Sequence, residues 1–89
     1  MRSHLTDYFR NCFQNLPERI KRTARKNYKI WRENPNHPSL DFKPVGNKLS
    51  VYSVRVGIGW RACGVKENDT IIWFWIGSHE EYNDLLRRL

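Results

Sequence analysis

The chain has 89 residues, with 16 lysines and arginines against 9 aspartates and glutamates, and a formal charge of +7. That length allows one small domain with one modest core, so a single domain over residues 1–89 is expected. No run approaches membrane-spanning length, and the charged start (Arg2, His4, Asp7, Arg10) is not that of a secretory signal. A basic excess of this size favours nucleic acid, an acidic protein partner or an anionic surface. With 13% aromatic residues, nucleic acid is preferred over a membrane or a basic domain without a charged target.

Cys12 and Cys63 stand far apart with no CxxC, which reads as packed thiols of a reduced, cytoplasmic protein. His4, His37 and His79 show no metal-ligand spacing, so no metal and no cofactor is expected.

In chain order, Arg2 to Leu5 suits a short edge strand. Thr6 is an N-cap, and Phe9, Cys12, Phe13 and Leu16 recur at helical spacing. Pro17 suits the first turn of a second helix, which carries Ile20, Ala24, Tyr28 and Trp31 on one stripe. Its other faces hold Arg19, Lys21, Arg22, Arg25, Lys26 and Lys29, read as an ordinary solvated surface, and Asn34-Pro35 ends it. These two helices should form an antiparallel hairpin. A loop over 35–40 and an extended segment over 40–45 follow, with Pro44 favouring a sheet edge. After a Gly46-Asn47 turn, strands over 49–56, 60–66 and 70–76 are joined by links short enough for an antiparallel meander. Ser78-x-x-Glu81 is a capping box opening a short helix through Leu89, with Leu85, Leu86 and Leu89 to bury. The fold class is therefore α+β: an N-terminal helical hairpin on a twisted antiparallel sheet of three to four strands, with a short C-terminal helix.

Arg55 and Arg61 lie on strand segments where valine would fold more easily. If Gly57-Ile58-Gly59 is a three-residue loop, Val56 faces Trp60 and Arg55 lies opposite Arg61 on one face. Tyr52, Val54, Val56, Trp60 and Ala62 then form an apolar face toward the helices. A two-residue loop would send the arginines to opposite faces. Like charges directly opposite cost a few tenths to about 1 kcal/mol, and an anion between them reverses the sign. A phosphate is the preferred anion; the alternatives are a carboxylate such as Asp69 or Glu67, or water. His79 falls at the first position of the last helix, whose positive end favours the uncharged imidazole that a base requires. Tyr82, three residues on, shares its helical face. The plainer alternatives are a solvated first-turn histidine and a core tyrosine. Trp73 and Trp75 alternate with Ile72, Phe74 and Ile76, so one set turns away from the helices, where the last helix or a partner would cover it.

Several short pieces, taken in order, resemble one family. They are Leu16-Pro17-Glu18-Arg19-Ile20, Asn34-Pro35 with Pro38 and Leu40, Lys43 before Gly46, Tyr52-x-x-Arg55-Val56-Gly57, Trp60-Arg61, and Trp73-Phe74-Trp75-Ile76-Gly77-Ser78-His79. Over nearly its whole length the chain resembles a RelE/ParE-type toxin of a bacterial type II toxin–antitoxin system. The resemblance implies a basic concave face and a metal-independent endoribonuclease, an mRNA interferase that inhibits translation, often in the ribosomal A site. In that chemistry the ribose 2′-hydroxyl attacks the adjacent phosphate. It further implies that Arg61 meets the phosphate with Arg55 beside it, that Lys43 and Lys48 hold the RNA backbone, that His79 transfers a proton, and that Tyr82 orients or stacks a base. A small acidic antitoxin is the implied partner, besides mRNA and the ribosome. The chain departs from the family pattern after the strand-end glycine. Relatives carry Arg or a His-Arg pair there; this chain carries Ser78-His79-Glu80-Glu81. Glu80 or Glu81 would then take the proton in place of His79, or both point outward. Two alternatives stay open: a non-enzymatic ParE-like toxin that inhibits DNA gyrase, and an inactive RNA-binding relative.

Overall fold

The computed structural model describes residues 1–46 and 50–89. Lys48, together with Asn47 of the expected turn and Leu49 of the expected strand, lies outside the described residues. The elements are β1 (Arg2–Leu5), α1 (Asp7–Gln14), α2 (Glu18–Glu33), a 3-10 turn (Pro38–Leu40), β2 (Lys43–Val45), β3 (Val51–Gly57), β4 (Trp60–Glu67), β5 (Thr70–Ser78) and α3 (His79–Arg88).

Among the described residues the sheet has five strands in the order β1-β5-β4-β3-β2. β2 to β5 are antiparallel neighbours, but β1 runs parallel to β5, with Arg2 opposite Thr70 and Leu5 opposite Trp73. The sheet is thus mixed and slightly wider than the antiparallel three to four strands expected. Hairpin links dictate direction in the meander. No hairpin joins β1 to β5, so nothing local in the sequence sets the direction of that pair.

The helical hairpin forms as its patterning requires. Thr6 Oγ1 accepts from the Phe9 N–H at 3.0 Å, satisfying one of the free donors at the start of α1. α1 ends at Gln14, so Leu16 packs from the connection rather than from the helix. Pro17 stands one residue before α2 instead of within its first turn. α2 buries Ile20, Ala24 and Trp31 against Val54, Ala62 and Trp73 of the sheet. Burying a side chain the size of Ile20 contributes about 1.5–3 kcal/mol. A hydrogen bond between Ser3 Oγ and Tyr28 Oη ties β1 to α2.

Two β-bulges decide which side chains reach which face. In the first, Cys63 pairs with Trp75 and Gly64 with Trp73, leaving Phe74 as an extra residue. Simple alternation therefore fails: Trp73 joins the core under the helical hairpin, and Trp75 joins a second core on the opposite face with Val51, Cys63 and Tyr82. Both tryptophans are buried. Gly64 allows this crossing, since a Cβ there would lie 2.7 Å from Ile71 Cγ2 and 2.9 Å from Trp73 Cε3.

In the second bulge, Arg55 pairs with Arg61 and Gly57 with Trp60, leaving Val56 extra. The loop is the two-residue Ile58-Gly59, with Gly59 at φ +78°, not the three-residue loop expected. The bulge restores the parity that the shorter loop would have lost, so Arg55 still lies opposite Arg61.

α3 opens on the expected capping box. Ser78 Oγ accepts from the Glu81 N–H at 3.2 Å, and the Ser78 N–H donates to Glu81 Oε1 at 3.0 Å. Its buried residue is Tyr82; Leu85 and Leu86 are half-buried and Leu89 is exposed. Among the described residues no helix is long and apolar enough to cross a membrane.

Candidate active site

On the sheet face away from the helical hairpin, a cleft of about 320 Å³ opens between β2, the β3–β4 turn and the start of α3. Among the described residues its charged and aromatic lining comprises Asp41, Lys43, Arg55, Trp60, Arg61, His79 and Tyr82. A larger hollow of about 470 Å³ lies between the helical hairpin and the sheet, but its walls are mostly apolar and offer little chemistry.

Arg61 is 5% exposed, which a guanidinium tolerates only with partners. Its Nε donates to Ser53 Oγ at 2.6 Å, Nη2 to the Asp41 carbonyl at 2.9 Å and Nη1 to Asp41 Oδ2 at 3.3 Å. Three of five N–H groups are thereby engaged. The guanidinium carbon stands 5.4 Å from the centre of the Tyr82 ring, a cation–π distance. The carboxylate partner is thus Asp41, not the Asp69 or Glu67 weighed from sequence, both of which sit at the far end of the β4–β5 hairpin.

Asp41 reaches Arg61 with two different oxygens because its backbone is left-handed, φ 45° and ψ 48°, where Asp is among the better tolerated non-glycine residues. The fully buried Leu40 holds the preceding turn in place. Lys43 Nζ lies 3.2 Å from the same Oδ2. The hydrogen bond from Lys43, helped by the charges of Lys43, Arg61 and Arg55 and opposed by partial desolvation, holds the Asp41 carboxyl below its ordinary value of 3.8.

Arg55 is exposed directly opposite Arg61 and forms no ion pair among the described residues. His79 is exposed at the first position of α3. Its backbone N–H donates to the Gly59 carbonyl at 2.8 Å, tying the β3–β4 turn to the helix start. Its ring meets the Tyr82 ring edge-on at 5.5 Å. Tyr82 is 5% exposed and lies 6.4 Å from Trp75, so it is the floor under Arg61 and His79 rather than an open platform for a base. Glu80 and Glu81 do not line the cleft, and the Glu81 carboxylate is taken up by Ser78. Gly77, opposite Arg61, leaves room for the Trp75 indole, since a Cβ would approach its Cζ2 to 2.6 Å.

The structure brings Arg55, Arg61, His79, Tyr82 and Lys43 together. Sequence reasoning missed Asp41 and Ser53. Ser53 was accessible to it, because period-two alternation puts residue 53 on the face of residue 55. Cys63, two residues beyond Arg61 in the chain, is fully buried; burial pushes its thiol up to about 12 against the opposing charge of Arg61, so it supplies no nucleophile near neutrality. Among the described residues no group of three or more His, Cys, Asp or Glu side chains is arranged to hold a metal ion.

The family model of the ParE-like toxin domain matches residues 18–84, from the start of α2 into α3. The chain belongs to the ParE-like toxin family. No curated protein is similar enough to count as a match. Among solved structures, YafQ from Escherichia coli superposes with a TM-score of 0.73 at 11% identity, covering 92% of this chain and 98% of its own. The toxin of the RelB–RelE antitoxin–toxin complex from Methanococcus jannaschii gives 0.67 at 24% identity over 92% and 96%. That of the archaeal RelE–RelB complex from Pyrococcus horikoshii gives 0.68 at 16% identity over 88% and 93%. At these identities the likeness is one of fold: among the described residues, three helices and a five-stranded mixed sheet, the α+β arrangement of the RelE-type toxins.

Proposed function

We propose that this protein is the toxin of a toxin–antitoxin pair and acts as a metal-independent endoribonuclease on messenger RNA. The observation that carries the reading is the register of Arg55 opposite Arg61, with His79 on the same cleft. Two cations facing each other across a strand pair form an unfavourable arrangement alone and a favourable one around a phosphate.

In this reading the phosphate sits against Arg61 and Arg55, with Lys43 and Lys48 along the RNA backbone. The ribose 2′-hydroxyl loses its proton and its oxygen attacks the neighbouring phosphorus. The bond from phosphorus to the 5′-oxygen breaks, and that oxygen gains a proton. The products are a 2′,3′-cyclic phosphate and a 5′-hydroxyl. His79 transfers the proton, and the arginines stabilise the extra charge on the pentacoordinate phosphorus. Tyr82 supports both from below. The net charge of +7, and the toxin–antitoxin complexes among the structural neighbours, favour a small acidic antitoxin that covers the basic cleft.

A second reading follows from the ParE-like character of the family match: a non-enzymatic toxin that inhibits DNA gyrase. One paired experiment separates them. Purified protein is incubated with mRNA in a translating extract and, separately, with gyrase and relaxed plasmid. RNA fragments ending in a cyclic phosphate, with supercoiling unaffected, support the ribonuclease. Intact RNA with blocked supercoiling supports the gyrase reading and overturns the first.

A further inference from the structure

Among the described residues lining the cleft, Asp41 is the one carboxylate, beside the three cations Lys43, Arg55 and Arg61. It offers Arg61 two acceptors of different origin, a main-chain carbonyl and a carboxylate oxygen. Together with Ser53 on Nε, these fix the plane of the guanidinium and leave two N–H groups for a ligand. The same Oδ2 bridges Arg61 Nη1 at 3.3 Å and Lys43 Nζ at 3.2 Å. An anionic oxygen seated between two cations is the environment a phosphate oxygen seeks.

We propose that Asp41 is a positioning residue that orients Arg61 toward the substrate phosphate and competes with that phosphate for the cleft's cations. RNA binding is then weaker, and turnover faster, than the cations alone would give. This rests on the ribonuclease reading of the same cleft. Asp41 is not the base that takes the 2′-hydroxyl proton: two neighbouring cations hold it anionic and make it a poor proton acceptor.

The test is Asp41→Asn, which keeps the main-chain carbonyl and the tolerance for left-handed backbone while removing one charge. Asp41→Gly, suited to the same backbone, is the second variant should the first fail to fold. Two quantities are measured at low salt: kcat on mRNA, and affinity for a single-stranded oligoribonucleotide bearing 2′-O-methyl groups throughout, which cannot be cut. Loss of a neighbouring negative charge should tighten binding roughly fivefold. A misdirected Arg61 should lower kcat roughly tenfold. Falling kcat with unchanged or weaker binding is the pattern of a merely structural residue and overturns the proposal, as do unchanged values of both. If the wild type cuts no RNA, the ribonuclease reading falls by itself. Tighter binding by the variant would then still uphold the competition, and unchanged binding would overturn it.

Discussion

Asn27 on α2 donates from Nδ2 to the carbonyl oxygen of Val56, the bulged residue of β3, at 2.5 Å. A bulge leaves a carbonyl without its ladder partner, and here a helix across the core supplies the donor. Because that bulge compensates for the two-residue loop, Asn27 helps keep Arg55 and Arg61 on one face without approaching the cleft.

Replacing Asn27 by leucine should leave the Val56 carbonyl unpaired, at a cost of about 1–3 kcal/mol. It should also loosen the register of the arginine pair. Urea unfolding should show a lower midpoint with unchanged slope, and RNA cleavage should drop at concentrations where the variant is folded. Wild-type stability in the variant would show that the bulge holds without this bond.

Asp41 makes stability depend on acidity in one direction. Its carboxyl is held below 3.8 in the folded chain, so the unfolded chain binds the proton first as pH falls. The contribution is complete above 3.8 and is lost as pH falls through the lower folded value. The side chain is 38% exposed, so solvent screens the effect and keeps it small. Unfolding curves of wild type and Asp41→Asn should therefore differ at neutral pH and converge in strong acid. A gap that widens in acid would contradict the assignment.

Gly64→Ala should destabilise by about 1–3 kcal/mol, the usual cost of overpacking. The added Cβ would meet Ile71 Cγ2 at 2.7 Å, Trp73 Cε3 at 2.9 Å and the Ile72 carbonyl at 3.0 Å, and backbone cannot swing aside as a side-chain tip can. Thermal melting checks this; a neutral result would mean that β4 and β5 shift together at no cost.

With its thiol pushed up to about 12 and the side chain fully buried, Cys63 should resist iodoacetamide in the native protein and react only on unfolding. Cys12, half-buried on α1, should be modified first. Mass spectrometry after limited alkylation reads the order directly, and early modification of Cys63 would contradict the packing around Trp75 and Tyr82.

Much of the fold was legible in the sequence because its signals are local. Thr6, the apolar stripe of α2, Pro44 at the edge and the Ser78–Glu81 box each act through neighbours a few residues away. The bulges were not legible. Phe74 and Val56 are ordinary strand residues, and only the fit of Trp73 over Gly64, or of Asn27 against Val56, gives each its role. The direction of β1 was hidden for a similar reason, its partner being nearly seventy residues distant with no turn between them. The arginine pair was found by parity, and the structure reaches the same pairing through a shorter loop and one extra residue. Asp41 was missed because its role depends on a left-handed backbone after a 3-10 turn, which brings a single aspartate to Arg61 and Lys43 at once.

In the proposed reading, the cleft holding Arg55, Arg61 and His79 cuts RNA. This is tested most directly by mRNA cleavage in a translating extract with wild type, Arg55→Ala and His79→Ala. Both substitutions are at exposed positions, so the fold should survive them. Cleavage by the wild type should fall by at least about a hundredfold in each variant, with unchanged melting temperatures. Intact RNA with wild-type protein, or equal cleavage by all three proteins, would contradict the ribonuclease reading.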